Sequence, residues 1–138
     1  MTTKVSSKMV SGNAITEDGG QTIGGDLAVG GAITAVGEIT AYFSDDRLKD
    51  RGNNIANALD KVCSLNGFTY RPNSVAQDLG YENTQEVGVS AQEVNAVMPE
   101  VIAPAPIDPQ YMTVKYEKLV PLLIEALKEL RAEVESLK

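Results

Sequence analysis

Near its C-terminus this chain carries a spacing of apolar residues that leaves few choices of fold. Val120, Leu123, Leu127, Leu130, Val134 and Leu137 recur at intervals of 3, 4, 3, 4 and 3. That is the a/d pattern of a heptad, and it predicts a helix over about 117–138 with Pro121 accommodated in its first turn. A helix of this length is marginal alone in water, so its seam must pack on something. Either its own domain covers the seam, or the same helix of other chains does. Glu133 and Lys138 stand at g and e, the spacing of a parallel interchain ion pair. Val at a with Leu at d leans toward two strands, while Ile124 and Ala126 at the flanking e and g positions widen the apolar face for more.

The rest of the composition favours burial between chains. Among 138 residues there are two Phe, five Tyr and no Trp, so little is available to fill a deep core. A net charge of −7, with 12 scattered Lys and Arg against 19 acidic residues, argues against nucleic acid and against an anionic membrane surface as partners. The chain has no His, which removes Ser-His-Asp and Cys-His catalysis and His-based metal sites. Asp108 stands alone in a Pro-rich loop and makes no calcium site, and no metal or cofactor is expected. Glu82, Glu86, Glu93 and Glu100 show no fixed pairing and read as solvated surface. The single cysteine, Cys63, is expected to be buried rather than reactive. The N-terminal stretch has no apolar run suited to a signal peptide, and no segment approaches a membrane span. Synthesis in a cytoplasm and no membrane insertion are the expectation.

A second regularity lies upstream. Three hexads begin at Gly25, Gly31 and Gly37, each reading Gly-x-[Leu/Ile]-x-[Val/Ala]-x, with Gly19 six residues earlier. Alternation within a hexad turns Leu27, Ile33 and Ile39 to one face of a short strand. Such strands cannot bury a face alone. The reading taken is a β stem over 19–43, wound from three chains in the manner of a triple β-helix; a pair of ordinary hairpins is the alternative. Residues 1–18 are polar and read as an attachment arm, flexible or ordered by a partner.

From Ser44 onward the pattern becomes mixed α and β. Asp45 or Asp46 can N-cap a first turn around Arg47–Lys49. A main helix over about 54–65, with Leu48, Ile55, Leu59 and Val62 as its stripe, stops at Asn66-Gly67. Strands are expected at 68–70, 86–89, 101–103 and 111–114, with residues 73–84 and 104–109 as loops. Ser90 with Glu93 forms a capping box for a helix that Pro99 closes.

Several of these segments, in order, resemble the endosialidase-type intramolecular chaperone domain. They are Ser44-Asp45-Asp46-Arg47-Leu48-Lys49, Ala58-Leu59 through Tyr70, Val87-Gly88-Val89-Ser90-Ala91-Gln92-Glu93-Val94, Met98-Pro99-Glu100-Val101, and Val114-Lys115-Tyr116 through Leu130. The resemblance implies a parallel homotrimeric C-terminal module of bacteriophage tail spikes and fibres. Such a module templates the β stem ahead of it and, in many members, then cuts itself off before the motif's serine. It implies an α+β fold for 44–138, and a trimer interface in which Leu27, Ile33 and Ile39 of the stem join Val120, Leu123, Leu127, Leu130, Val134 and Leu137 of the helix.

The family's Ser/Lys dyad maps onto Ser44 and Lys49, with the scissile bond after Phe43. The chemistry is self-consistent. A serine hydroxyl needs a base, and without His a neutral Lys amine can serve if burial strips its proton. Asp45, Asp46 and Asp50 lie close in sequence to Lys49 and would hold it charged. Ser44 can equally be a helix cap. Tyr42-Phe43 reads as a packing plug between stem and chaperone, or as the exposed flank of the scissile bond. With 43 residues before the motif, no glycosidase or large receptor-binding domain is expected. The expectation is a structural tail fibre or fibre-tip protein of the virion. Its N-terminal arm would join another tail or baseplate protein, and a host surface receptor is a further partner. The alternatives are a chaperone released by cleavage at 43/44, and a separate helper chaperone or coiled-coil interaction module.

Overall fold

The computed structural model describes residues 22–138, so the expected arm at 1–18, and Gly19, lie outside the described residues. The chain divides after Thr40 into two units. In the first unit, residues 22–40 form no helix or strand, and every one is exposed. Leu27, Ile33 and Ile39 are 65%, 71% and 72% exposed. A hexad strand in a single chain has no ladder partner and no second face to cover it, so its apolar side chains remain in water.

The second unit is small and α+β. A 3-10 turn over Asp46–Leu48 comes first, then α1 (Ala58–Cys63), β1 (Gly67–Tyr70) and α2 (Ser74–Asp78). β2 (Glu86–Val89) and α3 (Ala91–Val97) follow, then a 3-10 turn at Pro99–Val101 and β3 (Ile102–Pro104). β4 (Met112–Val114), a 3-10 turn at Tyr116–Leu119 and α4 (Val120–Ser136) complete the chain. β1 pairs antiparallel with β2, Gly67 opposite Val89 and Tyr70 opposite Glu86. β3 pairs antiparallel with β4, Ile102 opposite Val114.

Three departures from the sequence reading have physical causes. The first helix is shorter than 54–65, because Asn57 sits at φ 52° in the left-handed region and halts helix extension toward the N-terminus. Its buried residue is Ala58; of the expected stripe, Ile55 and Val62 pack half-buried against the core, and Leu48 lies 67% exposed outside the helix. Residues 73–84 are not all loop: Asn73 accepts a hydrogen bond from the Ala76 amide and caps α2. Cys63 is exposed, not buried: it is the last residue of α1, whose turn meets α4 through Val62 instead.

The core is built in two joined clusters. Ala58, Leu122 and Ala126 are buried where α1 meets α4, with Ile55 and Val62 packed beside them. Val94, Val101 and Val114 are buried beneath α3 and the β3–β4 pair. Leu65, Met98 and Leu119 touch both clusters. Glu93 ties the two together in a way its capping box hid. Ser90 Oγ does accept from the Glu93 amide, but the Glu93 carboxylate accepts from the Asn66 backbone N–H at 3.0 Å and from Asn66 Nδ2 at 3.1 Å. The box's return arm is thus diverted to pin the chain leaving α1.

Candidate functional site

Two features of the second unit bear on function, and the sequence pointed to both. At the first, the 3-10 turn at Asp46–Leu48 folds the chain back so that Lys49 Nζ donates to Ser44 Oγ at 3.2 Å. The turn forms because Asp45 caps it, accepting from the Arg47 amide at 2.8 Å. The same carboxylate is gripped by the Arg47 guanidinium, Nη2 to Oδ2 at 2.8 Å and Nε to Oδ1 at 3.0 Å. That fork, and then the amide bond, hold the Asp45 carboxyl below the usual carboxylate range. Arg47 therefore occupies Asp45, one of the three acids that lie close to Lys49 in sequence. Among the described residues no salt bridge to Lys49 is formed. The whole turn is exposed in the single chain. A lysine base needs burial to shed its proton, so that burial would have to come from other chains.

Immediately upstream, Tyr42 has φ 61°. Its hydroxyl donates to Glu117 Oε1 at 2.6 Å, and Lys118 Nζ stands 4.5 Å from the centroid of its ring. The hydrogen bond to the charged acid raises the Tyr42 phenol above its ordinary range and lowers the Glu117 carboxyl below its own. Phe43 remains 66% exposed. Sequence reasoning could not have found the Tyr42–Glu117 pair, whose members lie 75 residues apart.

The second feature is the seam of α4. The helix packs on α1 through Leu122 and Ala126, one step around from the heptad positions. Val120, Leu123, Leu127, Leu130, Val134 and Leu137 are left between 44% and 86% exposed. Leu123, Leu127 and Leu130 line an open apolar groove with Leu59 and Val62 of α1. Among the described residues the domain leaves the seam largely uncovered, the first of the two choices open in the sequence being met only along the edge facing Leu59 and Val62. Glu129, on the same side as Ala126, closes the α1–α4 contact. Its carboxylate accepts from the amides of Ala58 and Leu59 at 3.1 and 2.5 Å, capping the start of α1 where Asn57 supplies no side-chain cap.

Gly88 has a reason visible only in three dimensions. A Cβ there would stand 2.9 Å from Tyr116 Oη and 3.2 Å from a ring carbon of Tyr70. Tyr116 Oη in turn accepts from the Val89 amide at 3.3 Å, joining β2 to the turn that opens α4. Among the described residues, no helix is long and apolar enough to cross a membrane.

Comparison with known proteins fits this geometry. Residues 44–103 match the family model described as Chaperone of endosialidase. The long tail fiber protein Gp37 of Enterobacteria phage K3 is 38% identical over 97 residues, which cover 68% of this chain and 8% of that protein. Gp37 of Enterobacteria phage T2 is also 38% identical over 97 residues, 7% of its length. Gp37 of Enterobacteria phage M1 is 33% identical over 97 residues, covering 69% of this chain and 38% of that protein. The chain thus spans only a small part of the first two relatives. The family match begins at Ser44, the residue whose hydroxyl accepts from Lys49 just ahead of the 3-10 turn. Residues 44–103 thus carry the chaperone-of-endosialidase domain, and over 97 residues the chain is similar to the long tail fibre proteins of phages.

Proposed function

We propose that this chain is a structural component of a bacteriophage tail fibre or fibre tip, and that its chaperone domain brings three parallel copies together so that the glycine-rich hexads fold as a β stem. The observation that carries this reading is the bare seam of α4. A domain whose helix already packs through Leu122 and Ala126 has no internal use for a second apolar face, and heptad residues at that exposure match self-association. The hexads supply the second half of the argument, because their exposed Leu27, Ile33 and Ile39 gain cover when copies wind together as strands. In this reading the domain stays attached as a tip in the virion. Residues 1–18 join another tail or baseplate protein, and the tip reaches a host surface receptor.

Sedimentation tests the assembly. The full chain is expected at the mass of three subunits, and Leu127→Glu combined with Leu130→Glu at the mass of one. The α4–α1 contact should survive in that variant, because neither residue belongs to the buried cluster. A one-subunit mass for the unaltered chain overturns the trimer.

The Ser44–Lys49 contact favours a second reading, in which the domain cuts the Phe43–Ser44 bond after assembly. Ser44 Oγ would attack the Phe43 carbonyl, and Lys49, neutral once buried between chains, would take the hydroxyl proton. The C–N bond then breaks, and the Ser44 nitrogen takes up that proton to leave as an amine. Water hydrolyses the resulting ester, giving a Phe43 carboxylate and a free Ser44 hydroxyl. Denaturing mass measurement of matured protein distinguishes the readings. Two fragments joined at 43/44, abolished by Ser44→Ala, are expected for cleavage; a persistent full-length mass leaves the domain as a retained tip.

A further inference from the structure

We propose that Tyr42 is a positioning residue for Ser44, a clasp on Glu117 and Lys118 that fixes the path of the chain into the Phe43–Ser44 peptide; its positioning role rests on the self-cleavage reading. Three observations converge on it. Tyr42 is one of two non-glycine residues at positive φ in the described chain, and that backbone state costs a bulky residue free energy unless something holds it. Its hydroxyl is held by a charge-assisted hydrogen bond of 2.6 Å to Glu117. Its ring lies under the Lys118 ammonium at 4.5 Å. An aromatic residue merely plugging a gap would bury its ring, whereas Tyr42 remains 60% exposed and is fixed by its polar edge and its face.

The position of the clasp gives it consequence. Only Phe43 separates Tyr42 from Ser44, so anchoring Tyr42 to Glu117 and Lys118 limits where the Phe43–Ser44 peptide can lie relative to the turn at Tyr116–Leu119. Glu117 and Lys118 lie in the 3-10 turn that leads directly into α4. The clasp therefore connects the reacting bond to the helix whose seam assembles the copies. Ordering α4 in the assembly would steady the turn, the turn would hold Tyr42, and Tyr42 would hold the scissile peptide.

The pH window follows from the two groups that meet. Glu117 is lowered by the bond, so its stabilising effect is present above the ordinary carboxylate range and is lost as pH falls through its folded value. Tyr42 is raised, so its effect is present below the ordinary phenol range and is lost as pH rises through its folded value. Lys118 over the ring and Lys115 beside Glu117 are the cations facing the pair, and both favour the charged carboxylate. The clasp is thus closed across neutral pH and opens at either extreme.

Two measurements judge it. In Ser44→Ala protein, which cannot cut itself, the ring current of Tyr42 should move the Lys118 ε-methylene resonances upfield, and Tyr42→Leu should return them to the ordinary position. Ordinary Lys118 resonances in the Ser44→Ala protein overturn the clasp. In the otherwise unaltered chain, Tyr42→Phe and Glu117→Gln should each slow appearance of the Ser44 amine terminus about ten-fold or more while sedimentation still shows the assembled mass. Cleavage at the unaltered rate in both variants overturns the positioning role. A chain that never cleaves removes the self-cleavage reading and the positioning role with it, while the Lys118 resonances still decide whether the clasp forms.

Discussion

Single residues in this protein are placed by neighbours far away in sequence, and Gly88 is the clearest case. Its lack of a side chain lets Tyr116 Oη approach the strand and take the Val89 amide. Gly88→Ala should push the Tyr116 hydroxyl aside and lose that bond, at a cost of about 1 kcal/mol read from the urea midpoint. The cost stays modest because the colliding atom is the free end of a side chain. Placing the substitution in a Tyr116→Phe background should remove most of the difference. A sequence reader sees Gly88 inside a motif and can carry over its importance, but not its cause, because Tyr116 is 28 positions away. The Ser44–Lys49 contact was legible for the opposite reason: five residues around one turn is a local matter. The restraint of Asp45 by Arg47 was local too, yet it was missed, since sequence proximity alone gave all three acids equal claim on Lys49.

At the scale of elements, periodic signals translated well and capping signals only in part. The heptad spacing correctly marked α4, and Pro121 does lie in its first turn. What periodicity could not reveal is that α4 has two apolar faces and that its own domain takes the smaller one, Leu122 and Ala126. Nor could it show that α1 borrows its N-terminal cap from α4. Glu129 satisfies amides that Asn57 leaves bare, so the two helices are joined by a hydrogen bond as well as by packing. Glu129→Ala should destabilise the domain by about 1–2 kcal/mol in thermal or urea unfolding, because two helix-start amides lose a charged acceptor. Glu125→Ala on the same helix should change little, because its carboxylate pairs with the exposed Lys128 at 3.0 Å. The short α2 escaped notice because Asn73 and Ser74 also read as loop residues, and five residues carry too little periodicity to decide.

For the whole molecule the thin interior decides behaviour. Among the described residues only Leu122 and Val94 of the larger side chains are fully buried, as the scarcity of aromatics suggests. Removing residues 119–138 takes away Leu122, Ala126 and Glu129 together with the seam, and is expected to leave both the stem unassembled and the domain unfolded, as circular dichroism and sedimentation would show. A protein that keeps its largest apolar faces on the outside has a stability that belongs to the population rather than to the molecule. Its unfolding temperature should climb with protein concentration, unlike that of a self-sufficient domain, and the Leu127→Glu, Leu130→Glu variant should lose that dependence. Under the assembly proposed above, dilution is itself a denaturant for this chain, and each copy owes its folded state to the company of the others.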